Sequence, residues 1–103
     1  MSRHPCLVQR RASIEREEGR KFLSYQDAPP IQLQKELAHL LALDSIWHRE
    51  IGYVNLVKRH SVANVVRILT GKVVRLYPLT LSRNADIRLI HVAESRICAT
   101  HAT

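Results

Sequence analysis

Residues 31–58, IQLQKELAHLLALDSIWHREIGYVNLVK, decide the fold, because they carry the strongest helical pattern in the chain. Apolar side chains recur there at spacings of three and four, interrupted at Asp44, and this pattern is typical of a helix with an apolar seam. The seam consists of Leu33, Leu37, Leu40, Trp47, Ile51 and Val54. It predicts one continuous helix of about 28 residues, on the order of 40 Å long at 1.5 Å per residue.

The length of this helix predicts self-association. A chain of 103 residues is small, and such a chain buries only about 60–65 % of its unfolded surface, so oligomerisation is a common remedy. Leu41, Leu43 and Ile46 widen the apolar face beyond what one neighbouring helix covers. We therefore expect a symmetric homodimer with a helical-bundle core, in which the six seam residues form the dimer core.

The opposite face of the same helix carries basic side chains. At about 100° per residue, Lys35, His39, Arg49 and Tyr53 lie about 100–180° away from Leu40. An ordinary solvent-facing side is the other interpretation, but three further basic residues follow at the end of the helix. The predicted phosphate-contacting residues are Lys35, His39, Arg49, Lys58, Arg59 and His60.

The net charge of the chain also favours an anionic partner. Sixteen Lys and Arg against nine Asp and Glu give a net charge of +7 and a pI near 10.1. No acidic residue occurs between Ile51 and Ala85, and arginine, which binds phosphate through two parallel hydrogen bonds, outnumbers lysine. A nucleic acid or an anionic membrane is the expected class of partner, although a solvated surface has the same composition.

The N-terminal flank predicts a second helix packed beside the first. Residues 7–24 show a sparse apolar repeat and predict an amphipathic helix. SYQDAPP, residues 24–30, then predicts a short connection, because proline disfavours the helical conformation in the residue before it. Asp27 is suited to cap the helix that follows. A connection this short favours two antiparallel neighbours.

The C-terminal flank begins with one clear element. Ser61 as an N-cap and Gly71 as a stop predict a short third helix over residues 62–70. Residues 73–81 alternate in part and are compatible with an extended segment, whereas residues 86–97 fit either a strand or a short helix. The predicted fold is therefore all-α, a helical hairpin plus a short third helix, with the C-terminal segment unassigned.

Catalytic and metal chemistry are not indicated. Cys6 and Cys98 have no short spacing, so we expect neither a metal site nor a disulfide framework from them. The histidines lack the spacing of a helical zinc site, and glycine-rich phosphate loops and nucleophile motifs are missing. We expect an intracellular, soluble, reduced protein that is not an enzyme and needs no cofactor. No apolar run reaches the ~18 residues of a membrane-spanning helix.

Three function classes remain. A basic helix fits a nucleic-acid duplex better than a single strand, because single-strand binders stack bases on several aromatics and this chain has one Phe, one Trp and three Tyr. A small DNA-binding regulator with a helix-turn-helix within residues 57–81 is the alternative. The third class is a helical adaptor whose basic face meets an acidic protein.

Three segments carry a resemblance to a known family. SYQDAP at 24–29, LQKELAHL at 33–40 and SVANVVRILTGK at 61–72 resemble the small RNA-silencing suppressor of insect nodaviruses. The resemblance covers about residues 7–72. It implies a three-helix protomer that dimerises into an antiparallel four-helix bundle and lies along double-stranded RNA independently of base sequence. It also implies action in the host cytoplasm, where the family shields long double-stranded RNA from Dicer and small interfering RNA from loading into RISC.

The resemblance also implies a division of the chain and of its site. Residues 1–72 would be the domain that binds double-stranded RNA and dimerises, and residues 73–103 a C-terminal extension. Matched by position, Lys35, His39 and Arg49 are the first candidates for RNA contact. The alignment between residues 41 and 61 needs a gap, so which arginine is central stays open. The extension is too apolar for the polar tail expected of the family, and either packs on the bundle or serves a protein partner such as Dicer.

Overall fold

The computed structural model describes residues 5–17, 29–71 and 82–101, and these are helical apart from short connections. The predicted all-α class is confirmed, because the described ranges contain helices and no strand. The elements are α1 (Pro5–Glu17), α2 (Ile31–Leu41), α3 (Ile46–Arg59), α4 (Val62–Thr70) and α5 (Arg83–His101). The last seven residues of the predicted first helix, most of SYQDAPP with Asp27, and the predicted extended segment 73–81 lie outside the described residues.

The single helix predicted over residues 31–58 is wrong, because the chain turns between α2 and α3. Ala42 ends α2, with its N–H donating to the His39 carbonyl and the Leu43 N–H donating to the Leu40 carbonyl. Ser45 is extended (φ −83°, ψ 124°), and its side chain accepts a hydrogen bond from the His48 N–H at the start of α3. This is a standard serine N-cap. The turn divides the apolar pattern, because Leu33 and Leu37 of α2 lie in the core whereas Trp47 and Ile51 of α3 are exposed.

α2 and α3 form an antiparallel hairpin with a close approach at Gly52. A Cβ atom at Gly52 would overlap the Leu40 side chain, with Leu40 Cδ1 only 2.8 Å away. At one end of the hairpin the chain turns, and at the other Arg59 reaches back to Glu36. Gly52 is thus a point where the two helices meet.

α4 follows the prediction closely. Ser61 accepts a hydrogen bond from the Asn64 N–H, and Gly71 ends the helix in the left-handed conformation at φ 73°. Five consecutive residues from Val65 to Leu69 are buried, including Arg67. α4 is therefore an internal helix, and none of its side chains is fully exposed.

α5 settles the open choice for residues 86–97 in favour of a helix. Ser82 accepts a hydrogen bond from the Ala85 N–H ahead of its first turn. α5 packs against α4, α1 and α3 and contributes Ile87, Ile90 and Ala93 to the common core. α5 thus packs against the other described helices rather than standing apart from them.

Cys6 and Cys98 form a disulfide, so the expectation of two unpaired cysteines is wrong. The bond joins the first turn of α1 to the last turns of α5, with the two Cα atoms 5.1 Å apart. The two residues are separated by 92 positions in sequence. Helix packing brings them together, and no spacing pattern signals that.

Candidate nucleic-acid interface

Four of the six predicted phosphate-contacting residues are exposed on the α2–α3 hairpin. We call them the cationic set: Lys35, His39, Lys58 and Arg59. Lys35 and His39 are one turn apart on α2, on the side away from the buried Leu33, Leu37 and Leu41. Lys58 and Arg59 end α3. Lys35 lies at the same end of the hairpin as these two residues, because its neighbour Glu36 contacts Arg59.

Arg59 of the cationic set is paired with an acidic residue, Glu36, through two hydrogen bonds. Its Nη1 and Nη2 donate to the two Glu36 oxygens at 3.0 and 3.1 Å. These bonds hold the pKa of the Glu36 carboxyl below its ordinary value. His60 Nε2 lies 3.9 Å from the same carboxylate, and its side chain is mostly buried. Glu36 therefore competes with any phosphate that approaches Arg59.

The prediction that Arg49 faces solvent and contacts phosphate is wrong. Arg49 is buried, with only 5 % of its surface exposed. Its Nε donates to Glu94 Oε1 of α5 at 3.2 Å, and its Nη1 donates to the Leu43 carbonyl at 3.0 Å. The prediction placed Arg49 on the outside by extending the rotation of α2 through residues 42–45. The turn resets that rotation, so Arg49 and Tyr53 face the core. Arg49 is not available to a ligand in this protomer.

The buried polar cluster around Glu94 joins α3 to α5. The Tyr53 hydroxyl donates to the same Glu94 oxygen as Arg49. Burial, and then the negative charge of Glu94, hold the pKa of Tyr53 well above its ordinary value. His91 Nδ1 lies 3.6 Å from the other Glu94 oxygen and its Nε2 lies 3.8 Å from Glu50. These buried contacts hold α3 against α5, so the cluster has a structural role. Glu94 has no local sequence pattern that reveals this long-range role.

The six predicted dimer-core residues divide into two groups. Leu33 and Leu37 are fully buried inside the protomer, and Leu40 and Val54 are half-buried against the same core. Trp47 and Ile51 are exposed at 63 % and 43 %, and Ile46 beside them is exposed at 62 %. We call Ile46, Trp47 and Ile51 the α3 apolar patch. Leu33, Leu37, Leu40 and Val54 thus belong to the core of the protomer. Trp47 and Ile51 are not buried within it.

α4, the second described helix of the alternative DNA-reading segment, is largely buried. α3 and α4 are joined by only His60 and Ser61, and α4 is the most buried of the helices. A helix-turn-helix reader inserts its second helix into the major groove and needs an exposed face on it. α4 offers no such face.

The described residues offer no metal site and no membrane-spanning segment. Within residues 5–17, 29–71 and 82–101, no group of three or more His, Cys, Asp or Glu side chains is arranged to hold a metal ion. None of the helices in those ranges is long and apolar enough to cross a membrane.

Protein-family models, curated proteins and solved structures were each compared with the chain, and none of them matches. The resemblance to the nodavirus suppressors therefore rests on the three quoted segments alone. Most of the first segment, SYQDAP, falls outside the described residues.

Proposed function

We propose that the chain binds double-stranded RNA independently of base sequence, acts as a homodimer and suppresses RNA silencing. In this role it shields long double-stranded RNA from Dicer and small interfering RNA from RISC. The observation that carries the proposal is the cationic set, four basic side chains exposed on one helical hairpin. The net charge of +7 and the sequence resemblance support the same class of ligand.

The chemistry of the cationic set suits contact with phosphates rather than bases. Lysine and arginine side chains on a helix surface bind backbone phosphates, which position a protein on a duplex without reading its sequence. Double-stranded RNA is recognised mainly in this way, through its shape, its phosphates and its 2′-hydroxyls. The small number of aromatics and the buried α4 favour this ligand over a single strand and over a DNA operator.

The broken helix changes how much RNA one protomer covers. At 1.5 Å per residue, α2 and α3 are about 16 and 21 Å long, in place of the 40 Å rod expected from one helix. Known double-stranded-RNA-binding domains span about 16 bp. A single hairpin is short for that footprint, so doubling the surface in a homodimer is part of the proposal. The exposed α3 apolar patch supports self-association.

Charge-removing substitutions in a gel-shift assay test the proposal. Lys35→Gln and Arg59→Gln should each weaken binding to an RNA duplex of about 20 bp and lower the salt slope by about one unit per lost phosphate contact. Arg88→Gln removes the same charge from an exposed position on α5 and serves as the matched control. The proposal is overturned if all three variants weaken binding alike, or if the wild-type chain binds no duplex at low salt. The second result favours the adaptor for an acidic protein.

A further inference from the structure

Phosphate contacts alone do not distinguish an RNA duplex from a DNA duplex, because both carry the same phosphates. The chemical group that differs is the 2′-hydroxyl, which both donates and accepts hydrogen bonds. A side chain that recognises it has to lie among the phosphate-contacting residues, reach solvent and keep its hydrogen-bonding groups free. One residue of the α2–α3 hairpin meets all three conditions.

Asn55 is exposed on the flank of α3 that borders α2. At about 100° per residue, Gly52, Asn55 and Arg59 share that flank. Gly52 lies against the Leu40 side chain, and Arg59 donates two hydrogen bonds to Glu36. Asn55 is therefore placed between two points at which α3 contacts α2, on the solvent side of the hairpin.

The cationic set lies on both sides of this position. Lys58 and Arg59 follow Asn55 by one turn of α3. Lys35 and His39 each adjoin, in sequence, one of the two α2 residues that contact the flank of Asn55. A duplex whose phosphates contact the cationic set thus has its sugars within reach of Asn55.

The Asn55 amide is free to bind a ligand, unlike the other two amide side chains of the hairpin. Gln34 is buried and donates to the Pro29 carbonyl at 3.1 Å. Gln32 Nε2 donates to Glu36 Oε1 at 3.3 Å. Within residues 5–17, 29–71 and 82–101, no hydrogen bond engages the Asn55 side chain, so its carbonyl and its NH₂ group both face solvent.

We propose that Asn55 recognises 2′-hydroxyls and thereby gives the chain its preference for RNA over DNA. The inference rests on the proposed function and names the specificity-determining residue of the same surface. A carboxamide carries an acceptor and two donors side by side, which matches a hydroxyl that donates and accepts. The 2′-hydroxyls line the wide, shallow minor groove of an RNA duplex, where a helix surface reaches them. Because every nucleotide of RNA has this group, the contact does not depend on base sequence.

His39 and His48 are the exposed histidines of the hairpin and the nearest alternatives. A neutral imidazole has its donor and its acceptor on separate ring nitrogens, and a protonated imidazole has no acceptor. His48 also lies about two turns from Asn55, towards the start of α3 and away from Lys58. Asn55 therefore fits a hydroxyl within the cationic set better than either histidine.

Substitutions at Asn55, assayed on RNA and DNA duplexes of one sequence, test the inference. Asn55→Leu keeps the approximate shape and removes the amide, so affinity for the RNA duplex should fall about three- to tenfold and affinity for the DNA duplex should not change. The salt slope should also stay the same, because no phosphate contact is lost. Asn55→Gln retains a carboxamide and should preserve most of the preference for RNA.

Lys58→Gln is the matched control, because it alters an exposed residue one turn away on the same helix. It should weaken binding to both duplexes alike and lower the salt slope by about one unit, leaving the ratio of the two affinities unchanged. A duplex of 2′-fluoro nucleotides then separates the hydroxyl from duplex shape, because it keeps the A-form geometry and cannot donate from the 2′ position. The wild type should bind it more weakly than RNA, whereas Asn55→Leu should bind the two equally.

The outcomes distinguish the inference from the proposed function. If the wild type binds the RNA and 2′-fluoro duplexes equally, or if Asn55→Leu keeps the full preference for RNA, the inference is overturned and the proposed function stands. Loss of the preference in His39→Leu instead of Asn55→Leu would likewise overturn it. A wild-type chain that binds no duplex, or binds RNA and DNA equally, would overturn the proposed function itself.

Discussion

Arg49 of α3 and Glu94 of α5 form a buried ion pair, with the arginine Nε donating to Glu94 Oε1 at 3.2 Å and both side chains less than a tenth exposed. The pair removes from the surface an arginine that the sequence analysis predicted as one of the first candidates for RNA contact. It also explains how α5 is held against the hairpin. The two charges are buried together, and each needs the other as a partner, because an unpaired buried charge is costly.

Breaking the Arg49–Glu94 pair should destabilise the fold without changing the affinity for RNA. Arg49→Gln or Glu94→Gln leaves one buried charge unpaired and is expected to lower the free energy of unfolding by about 3–5 kcal/mol. Urea unfolding followed by circular dichroism measures this loss, with Arg88→Gln as the control for charge removal at the surface. Under conditions where the variants stay folded, duplex affinity should equal that of the wild type. A variant of normal stability with weakened binding would instead restore Arg49 as an RNA contact.

Tyr53 should make the fold sensitive to alkaline pH. Its pKa is raised by burial and by Glu94, so the folded state favours the neutral phenol. The stabilisation is complete below the unfolded pKa of about 10 and is lost as the pH rises from there towards the folded pKa, at about 1.4 kcal/mol per pH unit. The difference in unfolding free energy between the wild type and Tyr53→Phe should therefore shrink between about pH 10 and pH 12. Parallel curves for the two proteins would show that Tyr53 ionises freely in the fold.

Glu36→Gln should strengthen RNA binding. The substitution removes an acidic charge that lies beside the cationic set and releases Arg59 from its two hydrogen bonds. We expect an increase in affinity of about three- to tenfold, which corresponds to at most about 1.4 kcal/mol. The unfolding free energy should change by only about 0–1 kcal/mol, because the Arg59 side chain is more than half exposed and water reaches the pair.

Glu15→Gln provides the matched control for this gain. Glu15 pairs with Arg11 on α1, again as an exposed acid and arginine, 3.1 Å apart. Its removal raises the net charge by the same amount but away from the hairpin. If both variants gain affinity equally, the effect is one of net charge, and the cationic set has no special role.

The disulfide should contribute substantially to stability. A bond that closes a loop of 92 residues restricts the unfolded chain, and removal of such a bond typically costs about 2–4 kcal/mol. Urea unfolding with and without reductant measures the loss, and Cys6→Ser should reproduce it without reductant. Equal stability of the reduced and oxidised chains, with thiol alkylation proving reduction, would mean that helix packing alone holds α1 to α5.

Local signals in the sequence were sufficient for some elements and insufficient for others. Ser61 and Gly71 act within a few residues of themselves, so the bounds of α4 could be predicted from the chain alone. The apolar spacing around Leu33 and Leu37 also identified a buried helical face. The same spacing continued across residues 42–45 and concealed the turn, although Asp44 followed by Ser45 is a recognisable helix-start signal.

The errors in the candidate site follow from that concealed turn. Once α3 is a separate helix, its rotation is independent of α2, and Arg49 moves from the outside to the core. Lys35 and His39 stay exposed because their prediction depends on α2 alone. Glu94 and the Cys6–Cys98 bond depend on contacts between distant helices, and a single sequence carries no periodic trace of such contacts.

The most direct test of the account is a comparison of one sequence as an RNA duplex and as a DNA duplex, each of about 20 bp, which exceeds the 16 bp footprint of known domains. Fluorescence anisotropy at several salt concentrations gives the two affinities and their salt dependence. We predict clear preference for the RNA duplex, equal binding of RNA duplexes of unrelated sequence, and affinity that falls as salt rises. Equal affinity for the RNA and DNA duplexes would contradict the account.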